Sequence, residues 1–495
     1  MSGMTEERSF PDGPRLRGGV KGGKNNRGRS GRSDKVRSIR LPFDGHFPDD
    51  NGETFQICSL TMNESIQTGA RAPAHLAWLS WGLGAAFYFS GFYQRVAPAV
   101  MTDQLMIDFG IGAAALGNLS AFYFYSYVAV QIPTGVLADV WGPRRILGTG
   151  AIVAALGALL FAGAPNILIA NLGRLMVGAS VGVAWVALLK LATHWFPPNR
   201  FALAAGLGLF VGLGGAVAAG VPLRFLVDHF GWRPVMGISG ALTFLIGLLI
   251  WIVVRDDPGE RGYSGYAPAS EDSPSGSLLA GLRIVLRFKN MWLLSIAPSG
   301  MVGPLLSFAG LWGVPFLSTH YGMSPSKSAA FTSTILVAWG VGGPVLGALS
   351  DRICRRKAVY LWGSLAGCCG WAVVLFVPAL PLWALAGLFM LIGFATGAMV
   401  LGFAFVKESV PPGYAGTGAG VCNMGVMTGP MILQPLMGWV LDREWNGWMI
   451  NGVRMYDLDA YRSAFLVMIA CSIVSVVMIA LTTETYCRQM VGAER

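Results

Sequence analysis

At positions 135–145 the chain reads Gly-Val-Leu-Ala-Asp-Val-Trp-Gly-Pro-Arg-Arg, and at 347–357 it reads Gly-Ala-Leu-Ser-Asp-Arg-Ile-Cys-Arg-Arg-Lys. In both copies a glycine precedes an aspartate by four residues, and the aspartate precedes an arginine by five. A weaker echo links Trp195-Phe-Pro197-Pro198 to Val410-Pro411-Pro412. Repeats at a nearly constant distance indicate two copies of one structural unit. The sequence therefore predicts a duplicated architecture.

Long apolar runs surround both stretches. A hydrocarbon core of ~30 Å needs ~20 apolar residues in a helix, whose backbone groups bond internally. Twelve runs meet this need: 76–101, 111–137, 146–164, 167–191, 201–222, 234–254, 291–317, 328–349, 358–380, 382–406, 415–440 and 464–481. We therefore predict an all-α polytopic membrane protein, with twelve transmembrane helices in two pseudo-symmetric halves of six.

The composition agrees with a membrane protein. The 495 residues are 54% hydrophobic and 13% charged, whereas a soluble protein has roughly 25% charged residues. The seven cysteines show no metal-ligand or disulfide spacing. These features exclude a disordered chain and argue against a soluble enzyme. We expect no metal, no cofactor and no enzymatic activity.

Lysine and arginine positions predict the domain limits and the orientation. We expect a basic tail (1–75), a first half (76–254), a linker (255–290), a second half (291–485) and a short tail (486–495). With both termini in the cytoplasm, the inner loops carry thirteen Lys and Arg and the outer loops six, as the positive-inside rule requires. The net charge of +10 then reflects this bias rather than nucleic-acid binding. The predicted location is a bacterial-type inner membrane.

The N-terminal tail has two interpretations. Residues 1–40 contain eleven Lys or Arg in Gly-rich sequence, which is typical of a disordered basic segment. Such a segment binds anionic lipid headgroups. Alternatively, translation begins at Met62.

The repeated stretches resemble a motif of the major facilitator superfamily, and the resemblance covers roughly residues 75–485. Arg174 and Gly178 resemble the family's R-x-x-x-G motif in the fourth span. The resemblance implies alternating access, with the repeated loops as a conformational latch. The latch residues would be Gly135, Asp139, Gly142, Arg144, Arg145, Gly347, Asp351, Arg355 and Arg356.

The resemblance also implies roles within that latch. Asp139 would cap or pair with a neighbouring helix end, and Arg144 and Arg145 would reach carboxylates between the halves. Gly135 and Gly347 would let helices approach closely. The alternative is that Arg144 and Arg145 are only positive-inside anchors.

Ionisable residues inside the twelve runs are functional candidates, because they are costly in a membrane. Those present are Arg95, Arg174 and Lys190, so the interior favours an anionic substrate. The segment from Phe92 to Pro98 resembles the arginine-bearing first helix of organophosphate:phosphate antiporters. That group has a second arginine in helix seven, where this chain has Trp312 and no cation.

Further candidates are polar or aromatic residues on several spans. The full set of predicted substrate contacts is Arg95, Tyr93, Gln94, Tyr123, Tyr127, Lys190, Trp312 and Asn423. Arginine can hold a carboxylate or phosphate through two parallel hydrogen bonds. Several candidates have a structural alternative: a snorkelling side chain for Arg95, bonds to backbone carbonyls for Arg174, interface anchoring for Lys190 and the tyrosines of the second span, and interhelical bonding for Asn423.

The sequence thus predicts a secondary active or facilitated carrier of a small organic anion, embedded in the lipid bilayer as a monomer. The alternatives are a carrier or efflux protein for a neutral or amphipathic compound, and a transporter-like membrane sensor. No Asp, Glu or His lies inside the twelve runs. This absence favours facilitated diffusion or anion exchange over proton symport.

Overall fold

The computed structural model describes residues 70–266, 278–377, 379–450 and 452–490. The side chains at 132, 135, 136, 138–140, 202 and 278–280 lie outside this description. The predicted basic tail, the start at Met62, part of the linker (267–277), the surroundings of Gly135 and the side chain of Asp139 are therefore outside this description. The described residues belong to one compact unit.

The first half consists of helices α1 to α8. Their bounds are α1 Ala74–Val96, α2 Thr102–Phe109, α3 Ala113–Ala162, α4 Ile167–Gly182, α5 Ala184–Trp195, α6 Pro198–Ala218, α7 Val221–Phe230 and α8 Trp232–Val253. Helix α3 is really two helices that meet at Gly142, whose φ of +77° suits a glycine. A 3-10 turn, Ala97–Val100, follows α1.

The second half consists of α10 to α17, preceded by a short linker helix, α9. Their bounds are α9 Leu278–Val285, α10 Lys289–Ser307, α11 Gly313–His320, α12 Pro325–Ile353, α13 Arg356–Phe376, α14 Leu382–Thr396, α15 Leu401–Ser409, α16 Ala415–Arg443 and α17 Leu458–Ala480. A π-helical turn, Phe308–Trp312, joins α10 to α11. Two short antiparallel strands, β1 Met449–Ile450 and β2 Val453–Arg454, form a hairpin before α17.

Local sequence signals start several of these helices. Asn166 accepts a hydrogen bond from the Ile169 N–H at 3.1 Å, and Asp457 accepts one from the Ala460 N–H at 2.8 Å. Such side chains satisfy the first amides of a helix, which have no partner inside it. Gly110, in the left-handed conformation, ends α2.

The all-α polytopic fold is confirmed, and each predicted run coincides with a helix or a broken helix. By length and composition, ten of the described helices could cross a membrane. The number is eleven if the bent pair Thr102–Phe109 and Ala113–Gln131 counts as one span. Helix α1 is not among the ten; it carries Gln94 and Arg95 between apolar residues. The prediction of twelve spans therefore exceeds this count.

Several helices extend beyond the predicted runs. The terminal turns of α12, α15 and α16 include Asp351, Glu408 and Asp442, and α11 runs to His320. These charged or titratable residues belong to the helices because the backbone continues to form hydrogen bonds after the apolar run ends. The boundaries, rather than the helices themselves, were poorly predicted.

We name the two ends of the helical bundle by their loops. The linker end contains the repeated loops, the Pro-Pro loops and the described linker residues 255–266. The hairpin end contains residues 97–112 and the β1–β2 hairpin. Gly347 lies towards the linker end, where an added Cβ would meet nothing within 4 Å. The close helix approach expected at Gly347 is therefore absent in this conformation.

Candidate functional site

Arg95 lies in the last turn of α1 and is almost fully buried, with 3% of its surface exposed. Its Nε donates a hydrogen bond to the Tyr123 hydroxyl on α3 at 3.2 Å. That hydroxyl donates in turn to the Gly91 carbonyl at 3.4 Å. Arg95 and Tyr123 therefore hold each other in place across two helices.

Aromatic rings surround the Arg95 guanidinium. Its central carbon lies 4.3 Å from the centre of the Phe92 ring, 5.5 Å from Tyr123 and 5.4 Å from Tyr127. Cation–π attraction compensates part of the cost of burying this charge. Tyr123 and Tyr127 stack with ring centres 6.1 Å apart.

The outer edge of the Arg95 guanidinium is free. Within the described residues, Nη1 and Nη2 have no hydrogen-bond partner and no carboxylate pairs with Arg95. Neither nitrogen is among the fully enclosed side-chain atoms that lack a partner. Each of the two nitrogens therefore keeps a small accessible surface and unused N–H donors, and an arginine can bind a carboxylate or a similar oxyanion through two parallel N–H groups.

Arg174 fixes the neighbouring backbone. It is 1% exposed, and its Nη1 donates to the Gln94 carbonyl at 2.6 Å. Its guanidinium also lies over the Tyr123 ring at 5.2 Å. This is the structural alternative stated for Arg174, a hydrogen bond to a backbone carbonyl. Gly178 allows the close packing of α4, because a Cβ there would collide with the Tyr123 carbonyl.

The other predicted contacts lie in different surroundings. Gln94 points towards α8, where its Nε2 donates to the Ser239 hydroxyl at 2.8 Å. Tyr93 and Lys190 are half-buried, and Lys190 lies on α5 near the linker end. The structure thus brings together Arg95, Tyr123 and Tyr127, and it separates Gln94 from them.

Two candidates lie in the second half. Trp312 is buried at the end of the π-helical turn, and its Nε1 donates to the Gln434 carbonyl at 3.2 Å. It stands three residues before Pro315, as Arg95 stands three residues before Pro98. Asn423 is half-buried on α16. Trp312 also lines a cavity of about 330 Å³ at the hairpin end, with Asp103, Arg454 and Tyr456.

The first repeated loop differs from its predicted latch role. The Arg144 guanidinium donates to the Trp251 carbonyl at 2.7 Å, inside the same half, instead of reaching a carboxylate of the other half. Arg145 is exposed and has no ion pair with the described residues. The reason is geometric: the Gly142 turn directs Arg144 back towards α8, where Asp256 accepts its backbone N–H at 2.6 Å.

The second repeated loop contains an ionic network. Arg356 donates to Glu408 at 2.9 Å and to Asp351. Arg355, beside it, is exposed. Glu408, Asp256 and Glu484 are partners of the repeated loops that the sequence did not predict. A signal was available, because both halves place an acid two or three residues after their last apolar run.

The chain matches the model of a known protein family and is similar to several known transporters. The model of the Major Facilitator Superfamily matches residues 81–314 and 297–486. The "Probable sulfoacetate transporter SauU" of Cupriavidus necator is 26% identical over 78% of this chain and 92% of its own length. A glycerol-3-phosphate transporter of Bacillus subtilis is 22% identical over 81% of this chain and 91% of its own length.

A solved structure shares the fold. A bacterial homologue of the human lysosomal transporter Spinster, crystallised in an inward-facing and unoccupied conformation, has a TM-score of 0.64 and 21% identity. The match covers 84% of this chain and 97% of that one. At this level of identity the likeness shows the fold alone.

Proposed function

The chain belongs to the Major Facilitator Superfamily, and from this premise we propose that it carries a small organic anion across a membrane by alternating access. It is a multi-pass membrane protein. The proposal adds the substrate class, the mechanism and the residue that binds the substrate.

The proposal rests on Arg95, which is buried and has no carboxylate partner among the described residues. A buried charge without a counter-ion is energetically costly. The aromatic rings of Phe92, Tyr123 and Tyr127 offset only part of that cost. A substrate carboxylate, sulfonate or phosphate would supply the missing negative charge and pair with both free nitrogens. Binding of an anion there is therefore favourable, whereas a cation would be repelled.

Relatives support the substrate class. The names of two relatives specify sulfoacetate and glycerol-3-phosphate, and a third, GudP of Escherichia coli, is named for galactarate and D-glucarate. Each of these is a small organic anion. Arg95 is the residue through which this chain would share that property.

The proposal also includes the orientation of the protein in the membrane and the way in which transport is coupled to energy. We place the linker end in the cytoplasm because of its excess of Lys and Arg, with both termini there, in the inner membrane and as a monomer. No acid forms an ion pair with Arg95 among the described residues, and arginine does not release its proton. We therefore propose anion exchange or facilitated diffusion.

The test uses variants of Arg95 in purified protein. A thermal-shift screen over carboxylates, sulfonates, sugar acids and phosphate esters identifies a ligand, and uptake into proteoliposomes measures its transport. Arg95→Ala is expected to weaken binding by at least about 30-fold, since losing one partner of a buried charge pair costs about 2 kcal/mol or more. Arg95→Lys keeps the charge but loses the planar fork, so we expect an intermediate loss.

The control is Arg462→Ala, a half-buried arginine that pairs with Asp459 on its own helix. It should bind and transport like the parent protein. Unchanged affinity in Arg95→Ala would refute the assignment. Binding of neutral compounds alone would favour a carrier of neutral or amphipathic substrates, and binding without transport would favour a sensor.

A further inference from the structure

The two halves meet most closely at the hairpin end, along α3 and α16. A Cβ on Gly117 would collide with the Gln434 carbonyl, and a Cβ on Gly438 would collide with the Ala113 carbonyl. These glycines let the two backbones approach to contact distance. The hairpin end is therefore closed between these two helices.

A carboxylate from one half caps a helix of the other half at this seam. Helix α3 begins after Gly112, which has no side chain to satisfy the first amides of the helix. Asp442, at the end of α16, does so instead: its Oδ1 accepts from the Ala113 N–H at 3.1 Å and its Oδ2 from the Ala114 N–H at 2.8 Å. A negative charge at a helix N-terminus is also favoured by the helix dipole.

The second half holds Asp442 in position. The Tyr456 hydroxyl donates to Asp442 at 2.7 Å, and Arg454 of strand β2 pairs with it at 3.3 Å. The Tyr456 oxygen also accepts from the Ala113 N–H at 3.1 Å. Asp442, Tyr456 and Arg454 thus form one preorganised unit, which we call the hairpin-end staple.

The staple joins the two halves through three hydrogen bonds, which run from the N–H groups of Ala113 and Ala114 to Asp442 and Tyr456. At the linker end, by contrast, added Cβ atoms on Gly416 and Gly420 would meet nothing within 4 Å. The hairpin-end staple and these open glycine faces are therefore at opposite ends of the bundle.

We infer that Asp442 is a gate residue: its carboxylate stabilises the conformation that is closed at the hairpin end, and α3 must leave it in every transport cycle. This inference rests on the alternating access of the proposed function, but it does not depend on the substrate or on Arg95. When the hairpin end opens, Ala113 and Ala114 depart with the first half, while Arg454 and Tyr456 remain with Asp442.

The experiment measures access to the hairpin end without any substrate. Thr102 is 4% exposed and lines the cavity beside the staple. Thr102→Cys, in a protein whose seven native cysteines are changed to serine, reports opening through its rate of labelling by a maleimide in nanodiscs. Asp442→Ala is expected to raise this rate about ten-fold, because the closed state loses charge-assisted hydrogen bonds that the open state does not have.

Two further variants keep the inference testable if Asp442→Ala folds poorly. Gly112→Ala leaves the charge intact but places a Cβ 2.7 Å from both Asp442 oxygens, so it should raise labelling in the same direction. Tyr456→Phe removes one donor and one acceptor and should give a smaller rise. Asp459→Asn is the matched control, because this acid at the same end is 83% exposed and pairs within its own helix; its rate should equal that of the parent.

The outcomes separate the gate from the proposed function. Labelling at the parent rate in Asp442→Ala, Gly112→Ala and Tyr456→Phe would overturn the gate, even if Arg95 binds anions as proposed. Raised labelling in a protein that binds no anion would support the gate and refute the substrate class. A rise in Asp459→Asn equal to that in Asp442→Ala would show a general charge effect and would also overturn the gate.

Discussion

The two halves have the same kind of helix cap at their linker ends. In the first half Asp256, which follows α8, accepts the Arg144 N–H at 2.6 Å. In the second half Glu484, which follows α17, accepts the N–H groups of Arg356 at 2.9 Å and Lys357 at 3.0 Å. Arg144 and Arg356 are 212 residues apart, the distance of the sequence repeat. In each half an acid after the last helix therefore caps the helix that follows the repeated loop.

The side chains of the same two arginines differ. Arg356 is enclosed by the carboxylates of Glu408 and Asp351, whereas Arg144 donates to the Trp251 carbonyl and lies over its indole ring. Glu408 precedes its Pro-Pro pair by three residues. The first half has His194 at that place, which pairs with Asp257 of the linker at 3.0 Å. The repeat thus preserves the helix cap but changes the charges around it.

The largest expected effect is on the buried pair of the second half. Arg356 and Glu408 have side chains that are 10% and 13% exposed, so removing one partner leaves the other charge poorly compensated. We expect Glu408→Ala to lower the free energy of unfolding by about 3 kcal/mol. The measurement is unfolding in mixed detergent micelles.

Two variants test whether the other ion pairs at the linker end contribute less. Asp351→Ala removes a carboxylate that is 66% exposed and should cost less than about 1 kcal/mol. His194→Ala breaks the partly exposed pair of the first half and should cost about as little. Equal losses for Glu408→Ala and His194→Ala would show that the two halves do not differ in this way.

The helix caps should have intermediate effects. Removing a side chain that caps a helix costs about 1 kcal/mol, so we expect that loss for Asp256→Ala and a larger one for Glu484→Ala, which accepts from two amides. The same unfolding assay checks both. A larger loss for Asp256→Ala would reverse the comparison.

Asp256→Asn tests the negative charge of Asp256 separately from its hydrogen bond with the Arg144 N–H. Burial raises the pKa of the Asp256 carboxyl, although the hydrogen bond from the Arg144 N–H lowers it. A raised pKa means that the folded state favours the protonated acid, so stability falls as the pH rises from the ordinary carboxyl pKa through the raised one. Asparagine keeps the acceptor oxygen and does not titrate. Asp256→Asn should therefore be milder than Asp256→Ala and should remove this part of the pH dependence.

The sequence predicted the helices because twelve apolar runs of sufficient length have no other stable form in a membrane. It listed Arg95, Tyr123 and Tyr127 among the substrate contacts, and these three lie together in the structure, but it also listed Gln94, which points to α8. Successive residues of a helix point in directions about 100° apart, so adjacent polar residues seldom face the same partner. Asp256, Glu484 and Asp442 were missed because their helix-capping partners lie at least 112 residues away. Only the tertiary fold brings such a cap to its helix.

The smallest expected effect on stability is at Arg145. Its side chain is exposed and has no ion pair with the described part of the chain, so Arg145→Ala should change the free energy of unfolding by less than about 0.5 kcal/mol. The latch role predicted from the family motif requires a partner in the opposite conformation, in which the linker end closes. We therefore expect slower turnover in proteoliposomes, with substrate affinity and stability unchanged. Asp139→Asn should behave in the same way, and Arg462→Ala serves again as the control. If Arg145→Ala and Asp139→Asn both transport at the parent rate, the first repeated loop is not a latch, and Arg145 only anchors the chain at the cytoplasmic surface.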